Sequence, residues 1–571
     1  MRNREVARIL HEIADLLDLQ DVAFKPRAYR RAAQAVESLS TPVEELAAAG
    51  TLDELPGVGD AIAKKITEIV ETGRLAYHEE LKASLPVDLY ALTQVEGVGP
   101  KTAKLLYDTL GIRGLSDLED AARAGRIEGV KGLGRKTQER ILRGLTETRR
   151  VERRILLGHA LPIADDLCQE LTQRGPFNRL TPAGSLRRGR ETIGDLDLLA
   201  ISDDPKAAAD AFIGLPGVEA VLAHGEKKSS VRLSGGLQVD LRIVPEASFG
   251  AALQYFTGSK AHNIALRKRA VARGLKLNEY GLFDDEDRSS AGRTEREIYQ
   301  ALDLCLIPPE LREDEGEIAA AERDALPDLI EEADVRSDLH VHTDWSDGKA
   351  SLEEMIEAAR SAGFSYIAIT DHARFAEVVG GLRPEDLERQ IETIEQINKT
   401  LKGFRVLTGV ETNISPDGSL DIPDPLLRRL DLVVAAVHSQ FRQPRAAMTE
   451  RLVRAVSHAS VHVLAHPTGR KIGERAGIEA DWDVVFRAAA QAGTALECNA
   501  NPIRLDLPSE LVRRAVEAGV TLSVGTDAHH PDHFGFLRLG VLTLRRGWAR
   551  AQDVLNTLPA DQLKIRVRQN Y

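Results

Sequence analysis

The sequence predicts a multidomain fold that combines α+β and α/β parts: a helical N-terminal region, a mixed β-sheet followed by a helical or mixed segment, and a C-terminal parallel α/β barrel. Three observations predict it. The chain has 571 residues, whereas a single hydrophobic core stops growing at roughly 250–300 residues, so about three to five domains are expected. Three related segments, LPGVGDAIAKKI (55–66), VEGVGPKTAKLL (95–106) and VKGLGRKTQERI (130–141), repeat a glycine turn and an amphipathic helix. From residue 336 onward, apolar strands alternate with amphipathic helices: YIAITDH, RVLTGVE, LDLVVAAVHS, VHVLAHP, TALECN and TLSVGTDAH. Strands so spaced pair in parallel, and the site of such a domain lies at their C-terminal ends. Each of these strands ends in an acidic, histidine or amide residue.

Residues 1–145 read as helices broken by short glycine turns. Over 180–245, strands such as LDLLAI and VDLRIV alternate with glycine turns, the pattern of a small sheet with helices packed on it. Helical periodicity returns over 250–312, and the acidic, alanine-rich LREDEGEIAAAERDALPDLIEEADV reads as a linker helix. No stretch approaches the roughly 18 apolar residues of a membrane span. MRNREVARILHEIADLLDLQ lacks the apolar core of a signal peptide. A cytoplasmic protein without a membrane partner, working as a monomer, is expected. Cys168, Cys305 and Cys498 are far apart and offer neither a disulfide framework nor a CxxC metal site.

A net charge of −13 would disfavour a nucleic-acid partner if it were evenly spread. It is not: residues 1–300 carry 44 Lys and Arg against 45 Asp and Glu, and residues 301–571 carry 31 against 43. Residues 101–150 hold 12 basic and 7 acidic side chains, so a local basic surface remains for counterion release from DNA. In the first two repeats, Gly57 with Gly59 and Gly97 with Gly99 allow a tight turn that leaves backbone amides at a helix N-terminus, ready for an anion. The repeats resemble the helix-hairpin-helix element, which implies contact with the DNA backbone without sequence reading. The third copy departs most and also reads as a purely structural turn.

The strongest chemical signal of the first half is GSLRRGRETIGDLDLL (184–199). Asp195 and Asp197, two apart on a strand, project from one face. Asp240 in QVDLRIV can complete a cluster that holds two Mg²⁺ ions about 4 Å apart for in-line phosphoryl transfer. Acid alternating with leucine on a solvated strand is the bland alternative, and it leaves the preceding Gly-Ser-x-Arg-Arg-Gly without a reason.

GSLRRG and GDLD, then VDLR, then YFTGSKAHN, in this order and spacing, resemble the palm and thumb of family X DNA polymerases over residues 1 to 312. The resemblance implies a gap- and 5′-phosphate-binding domain at 1–85, a fingers-like domain at 86–150, a palm at 151–248 and a thumb at 249–312. It implies that Asp195 and Asp197 ligate both Mg²⁺ ions and Asp240 the catalytic one. It further implies that Ser185, Arg188, Gly194 and Arg154 contact the triphosphate of a dNTP, where Arg is the expected partner for phosphate oxygens. Tyr255 and Phe256 would pack against the sugar, with Gly258 allowing close approach, and Asn263 and Arg267 would meet the nascent base pair. Upstream, FKPRAYRRAA and LPGVGDAIAKKI resemble the domain that binds a 5′-phosphate at a gap, with Lys25 and Tyr29 as contacts. Lys65 falls where some members carry a Schiff-base lysine that removes deoxyribose phosphate. Ala61 stands where such lyases often carry another lysine, and Lys65 also reads as a solvated phosphate contact.

In the last third, DLHVHTDWSDG (338–348) places His340 and His342 on one strand face with Asp347 in the following turn. His372, Glu411, His438, His466, Asp527 and His529 end later strands. Nine such ligands exceed what one tetrahedral ion takes, and the imidazoles favour a cluster of Zn²⁺ or Mn²⁺. A lone strand-end histidine is often a core residue, an explanation that fails for six histidines and three acids together. The set resembles the polymerase and histidinol phosphatase (PHP) domain with every usual ligand position filled. This implies a distorted (β/α)₇ barrel at 336–571 that hydrolyses phosphoesters, reached through an acidic linker at 313–335.

Together the two resemblances imply an enzyme that fills short gaps during DNA repair, base excision repair included, with gapped or primer–template DNA and dNTPs as partners. Its second site would act as a 3′–5′ exonuclease or 3′-end phosphatase. Two other readings stay open: a PHP site for a small phosphomonoester or pyrophosphate, and a polymerase half that is mainly a DNA-binding module. The intact Asp195, Asp197 and Asp240 oppose the second of these.

Overall fold

The computed structural model describes residues 6–563 except 7–8, 11, 15, 18–24, 38–42, 44–45, 48–49, 51, 56–57, 73, 85–91, 94, 96, 152–153 and 374–380. It divides into two units, Met1–Arg154 and Ile155–Tyr571. The first unit is helical and includes Lys25–Glu37, Asp60–Thr72, Ala76–Ser84, Pro100–Leu110, Leu115–Arg123 and Arg135–Val151. Helical spacing sets what is buried: Ile62, Ile66 and Ile69 lie on one stripe of Asp60–Thr72. One hydrophobic cluster runs from Val6 to Leu145, so residues 1–85 and 86–150 share a core.

All three glycine turns close alike. The amides of Val58, Val98 and Leu133 donate to the carbonyls of Leu55, Val95 and Val130 at 3.0, 2.9 and 2.9 Å. Gly97 and Gly132 take φ of +91° and +92°, a region that glycine enters without steric cost. Gly57 lies outside the described residues. The third copy, the most divergent in sequence, therefore has the same backbone as the second.

The second unit begins with β1 (Ile155–Leu156), paired antiparallel with β3 (Thr192–Ile193), and the helix Leu157–Arg174. β2 (Arg179–Pro182), β4 (Asp195–Ile201), β5 (Val218–Ala223), β6 (Lys228–Leu233) and β7 (Gln238–Ile243) form a sheet in the order β2-β4-β7-β6-β5. Within it only β4 and β7 run parallel. Alternation along DLDLLAI assigns the faces: Leu196 and Leu198 pack with Leu157, Leu161 and Ala164 of the helix, which leaves Asp195 and Asp197 on the other side.

The helical periodicity read over 250–312 is interrupted. Helices Phe249–Thr257 and Lys260–Val271 are followed by an antiparallel sheet of β8 (Lys276–Asn278), β9 (Gly281–Phe283) and β10 (Ser289–Ala291), and then by helix Glu295–Ala301. Strands of three residues are too short to display alternation in a sequence. Glu295 accepts from Arg187 Nη1 and Nη2 at 2.8 and 2.7 Å and from the fully buried Arg312 at 2.5 Å. Burial opposes ionisation of Glu295, and the two arginines override it and bring its pKa down to about 2.

A carboxyl so depressed stabilises the fold above its ordinary pKa of 4.5, and that contribution is lost as pH falls through about 2. Glu295→Gln is expected to cost about 3 kcal/mol at neutral pH, because it leaves Arg312 buried without its counter-charge. The gap from the parent in urea unfolding should narrow below pH 4.5; a constant gap down to strongly acidic pH would exclude this account.

The stretch 313–335, expected as an acidic linker helix, is α-helical only over Glu317–Glu322, with one 3₁₀ turn at Glu332–Asp334, and is packed into the fold. Glu313 pairs with Arg188 at 3.0 Å and Arg546 at 3.2 Å, and buried Glu317 accepts from His262 Nδ1 at 2.6 Å. The acids look solvated in the sequence because Glu313's partners lie 125 and 233 residues away. Leu505 and Leu539 also join the core under the mixed sheet, so within the second unit this segment is not a free tether.

β11 (Ser337–Val341), β12 (Tyr366–Ile369), β13 (Arg405–Asn413), β14 (Leu432–Ala436), β15 (Val463–Leu464), β16 (Ala495–Asn499) and β17 (Leu522–Gly525) form a parallel seven-stranded sheet in sequential order. It is nearly closed, since Val341 bridges to Ala528 and the His342 amide donates to the Ala528 carbonyl at 2.8 Å. Its near-continuous apolar strands are those of a parallel sheet covered by helices. Among the described residues no helix is long and apolar enough to cross a membrane.

Candidate active sites

The pairing of β4 with β7 builds the first site. Asp197 stands in register with Asp240, and Asp195 with Gln238, so three carboxylates share the face opposite the helix Leu157–Arg174. Asp240 accepts from Gln238 Nε2 at 2.9 Å and pairs with Lys228 Nζ at 3.2 Å. Burial acts to raise its pKa, and these bonds with one to Ser230 hold it below the ordinary value. Asp197 moves the other way: burial and the charges of Asp195 and Asp240 push it up to about 7. Carboxylates that repel one another this strongly fit divalent cations, which remove the repulsion. Gly184, with φ of +62°, lays its backbone where a Cβ would collide with the Asp197 carboxylate.

The residues expected around a nucleotide divide into two groups. Ser185 lies on the single turn Gly184–Arg187, Gly194 is exposed immediately before Asp195, and Arg267 is exposed. Tyr255 and Phe256 meet edge to face at 5.1 Å, and the Arg242 guanidinium lies 4.1 Å over the Phe256 ring. Gly258, with φ of +66°, abuts Arg188. Arg188 itself, expected at a triphosphate, donates to the Thr257 carbonyl and to Glu313 at 3.0 Å. Asn263, expected at a base pair, is buried and joins Gln254 to the Tyr255 carbonyl at 2.7 Å each. Both side chains are thus engaged in holding the YFTGS turn. Arg154 is exposed at the end of the first unit.

In the first unit, Lys65 Nζ donates to the Tyr29 hydroxyl at 2.8 Å and lies 4.0 Å over the Tyr77 ring. Tyr29, expected to face a phosphate, is only 5% exposed and positions Lys65 instead. Lys25 is exposed at the start of its helix, and Gly59 and Gly99 are exposed at theirs. Tyr77 carried no motif signal; only the fold brings it to Lys65.

At the barrel mouth all nine expected ligand residues converge. Their donor atoms form four overlapping groups: His342, Asp347, His372 and His529; His340, His342 and Asp527; His340, Glu411 and His466; His372, Glu411 and His438. Glu411 is central, with Oε2 at 3.4, 3.6 and 2.9 Å from His340, His342 and His372, and Oε1 at 3.2 and 3.1 Å from His438 and His466. Asp527 lies 3.3 Å from His342, and Asp347 lies 3.3 Å from His529.

Two donors at about 2.1 Å from a shared tetrahedral ion are roughly 3.4 Å apart, so these spacings fit metal ligation. The hydrogen-bond inventory agrees: His340 Nε2, both ring nitrogens of His342, Glu411 Oε2 and His466 Nδ1 are buried without a hydrogen-bond partner. Orphaned buried polar atoms are rare unless something else satisfies them.

The charges are strongly coupled. Burial opposes ionisation of Glu411 and Asp527, yet surrounding imidazoles hold both well below the ordinary carboxylate range. His372 is raised to about 9, burial being outweighed by Glu411. His342 is lowered to about 3 by burial and by His529 and His372, which keeps it neutral and leaves one ring nitrogen with a lone pair free for a metal.

Three residues behind the ligands were missed by sequence reasoning. Glu497 on β16 accepts from His340 Nδ1 at 2.7 Å and from the His466 amide at 2.6 Å. Asp371 accepts from the Thr343 amide at 2.7 Å and Ser346 Oγ at 2.5 Å, which sets the turn carrying Asp347. Asn413 accepts from His438 Nδ1 at 2.5 Å. An acid inside the apolar strand TALECN was the available signal for Glu497.

Comparison with known proteins follows the same division of the chain. Residues 1–75 match the helix-hairpin-helix domain, 89–147 the SAM-like helix-hairpin-helix tandem, 252–313 the DNA polymerase beta thumb and 338–501 the PHP domain. The DNA polymerase/3′–5′ exonuclease PolX of Bacillus subtilis is 38% identical over 574 residues, covering all of both chains. DNA polymerase lambda of Rattus norvegicus is 26% identical over 342 residues, 54% of this chain and 56% of its own. A probable phosphatase of Caldanaerobacter subterraneus is 32% identical over 205 residues, 34% of this chain and 75% of its own. Full-length similarity to a two-activity relative, with a three-carboxylate sheet and a nine-residue barrel site in one polypeptide, places the chain in the PolX family, the bacterial family X DNA polymerases with a C-terminal PHP domain.

Proposed function

We propose that the chain fills short gaps in DNA at Asp195, Asp197 and Asp240 and trims 3′ ends at the barrel mouth. The observations that support this reading are that the carboxylates stand in register and that buried ring nitrogens at the barrel mouth have no hydrogen-bond partner. Mg²⁺ in the sheet site, and Mn²⁺ or Zn²⁺ in the barrel, supply Lewis-acid activation and charge neutralisation when bound. Asp195 and Asp197 hold the pair of ions, and Asp240, kept ionised by Gln238 and Lys228, sits beside the primer 3′-hydroxyl. Ser185 and the exposed backbone at Gly194 meet the dNTP triphosphate, and Tyr255 and Phe256 its sugar. In the barrel, Glu497 and Asn413 take the Nδ1 protons of His340 and His438, which presents Nε2 of each to the metal site. The protein acts as a cytoplasmic monomer in DNA repair.

Incubation of the full chain with 3′-labelled gapped DNA, with and without dNTPs, in Mg²⁺ and in Mn²⁺, tests the reading. Extension with dNTPs and shortening without them are expected. The relationship to a phosphatase makes a small phosphoester the competing substrate; its hydrolysis with 3′ ends left untouched would overturn the exonuclease assignment.

Lys65 beneath Tyr77 and exposed Lys25 are proposed to hold the 5′-phosphate of a gap. Lys25→Ala with Lys65→Ala is expected to weaken phosphorylated gaps about tenfold at low salt, less as screening grows. Equal loss on unphosphorylated gaps, measured by fluorescence anisotropy, would remove the assignment.

A further inference from the structure

The turn that carries Ser185 and Arg188 is closed from within and then held from outside. Within it, the Gly189 amide donates to the Leu186 carbonyl at 2.9 Å and the Arg190 amide to the Ser185 carbonyl at 3.1 Å. Outside it stands the helix Leu537–Arg546 of the barrel, which carries none of the nine barrel ligands. Gly189, with φ of +63°, presses so close to this helix that a Cβ would stand 3.3 Å from Leu542 and 3.6 Å from Arg546. Arg546 Nη1 donates to the Arg188 carbonyl at 2.8 Å, across 358 residues. A further hold comes from Arg470, whose Nη2 donates to Glu191 Oε1 at 2.6 Å.

Arg546 also meets Arg188 through a shared acid. Glu313 Oε1 accepts from Arg188 Nε at 3.0 Å and from Arg546 Nη1 at 3.2 Å, and Arg190 Nη1 stands 3.7 Å from the same oxygen. The side chains of Arg188, Glu313 and Arg546 are only 13, 14 and 6% exposed. Burial opposes ionisation of Glu313, and Arg188, Arg546 and Arg190 together hold its pKa below the ordinary value. Stripping a buried carboxylate of its counter-charge is costly, so a Glu313 paired chiefly with Arg188 would retain it. With Arg546 on the same oxygen, Glu313 stays paired when Arg188 leaves. The guanidinium fork that fits a carboxylate also fits phosphate oxygens, so Arg188 exchanges one partner for another of the same geometry.

We infer that Arg546 is a positioning residue for nucleotide incorporation. It fixes the backbone of the turn and neutralises Glu313, which frees the Arg188 guanidinium to move from Glu313 and the Thr257 carbonyl to the triphosphate of an incoming dNTP. The barrel thus serves the first site through a helix that holds none of its own ligands. This inference rests on the gap-filling reading above and on the triphosphate contact expected of Arg188.

In the full chain, on single-nucleotide-gapped DNA with Mg²⁺, Arg546→Ala is expected to raise KM for the dNTP about tenfold, with kcat changed less than about twofold, as loss of one charge-assisted phosphate contact requires. Glu313→Gln added to Arg546→Ala removes the charge that would retain Arg188, and should bring KM back to within about threefold of the parent. A role confined to packing would leave the double variant at least as impaired as the single one. Glu313→Gln alone should lower the dNTP KM about threefold, and it decides the matter where thermal unfolding shows that Arg546→Ala does not fold. An unchanged KM in Arg546→Ala, an elevated KM that Glu313→Gln does not relieve, or a KM that Glu313→Gln alone leaves unchanged or raises would each overturn the inference. If the unaltered chain incorporates no dNTP at a gap, the gap-filling reading itself fails. If it incorporates but Arg188→Ala leaves KM unchanged, the triphosphate contact fails, and the role of Arg546 with it.

Discussion

Asp240→Ala is expected to bind gapped DNA like the parent and to extend it about a thousandfold more slowly or not at all, as removal of one member of a cooperating catalytic set generally does. The register explains why no neighbour compensates. Asp197 is the cross-strand partner of Asp240, and its carboxyl is pushed up to about 7, by burial first and then by the charges of Asp195 and Asp240. Removing Asp240 takes away a ligand and also frees Lys228, whose ammonium would then approach the remaining acids in competition with Mg²⁺. DNA contact by the glycine turns of the first unit needs none of these groups. Primer extension and gel shift on the same gapped substrate measure both halves. Extension at the parental rate would place the polymerase chemistry elsewhere.

His342→Ala is expected to reduce nucleotide release from a 3′ terminus about a thousandfold while dNTP incorporation continues, since His342 belongs to two of the four candidate ligand groups. Asp527→Ala should behave alike, because Asp527 closes one of those groups with His340 and His342. Metal bound only by the folded state stabilises it. Thermal unfolding of the parent should therefore shift downward when the metal is chelated, and the shift should shrink in either variant. Exonuclease activity that survives in both variants and disappears in Asp240→Ala would reverse the assignment of the two sites.

Much of both sites was legible because their residues sit at positions that secondary structure alone specifies. Asp195 and Asp197 share a face wherever that strand lies, and strand-end residues of a parallel barrel meet at one mouth whatever the helices outside do. His340, His342, Asp347, His372, Glu411, His438, His466, Asp527 and His529 accordingly come together in the structure as expected. The partners that orient them were not legible. Glu497 reaches His340 across 157 residues, and a buried acid leaves no periodic trace when the strand around it is apolar. Arg188 and Asn263 show the converse: each falls in a motif, but its hydrogen bonds are set by Glu313, Gln254 and the Tyr255 carbonyl.

The sequence by itself determined the family, the helical, mixed and barrel parts in their order, and the three carboxylates and nine barrel residues that the fold brings together, because local periodicity and short motifs encode them. Only the tertiary structure decided that residues 313–335 are packed rather than a tether, and that Tyr29 and Tyr77 enclose Lys65. Those outcomes depend on charges and rings brought together over long sequence separations, where neither propensity nor spacing carries information and only the packed chain sets the distance.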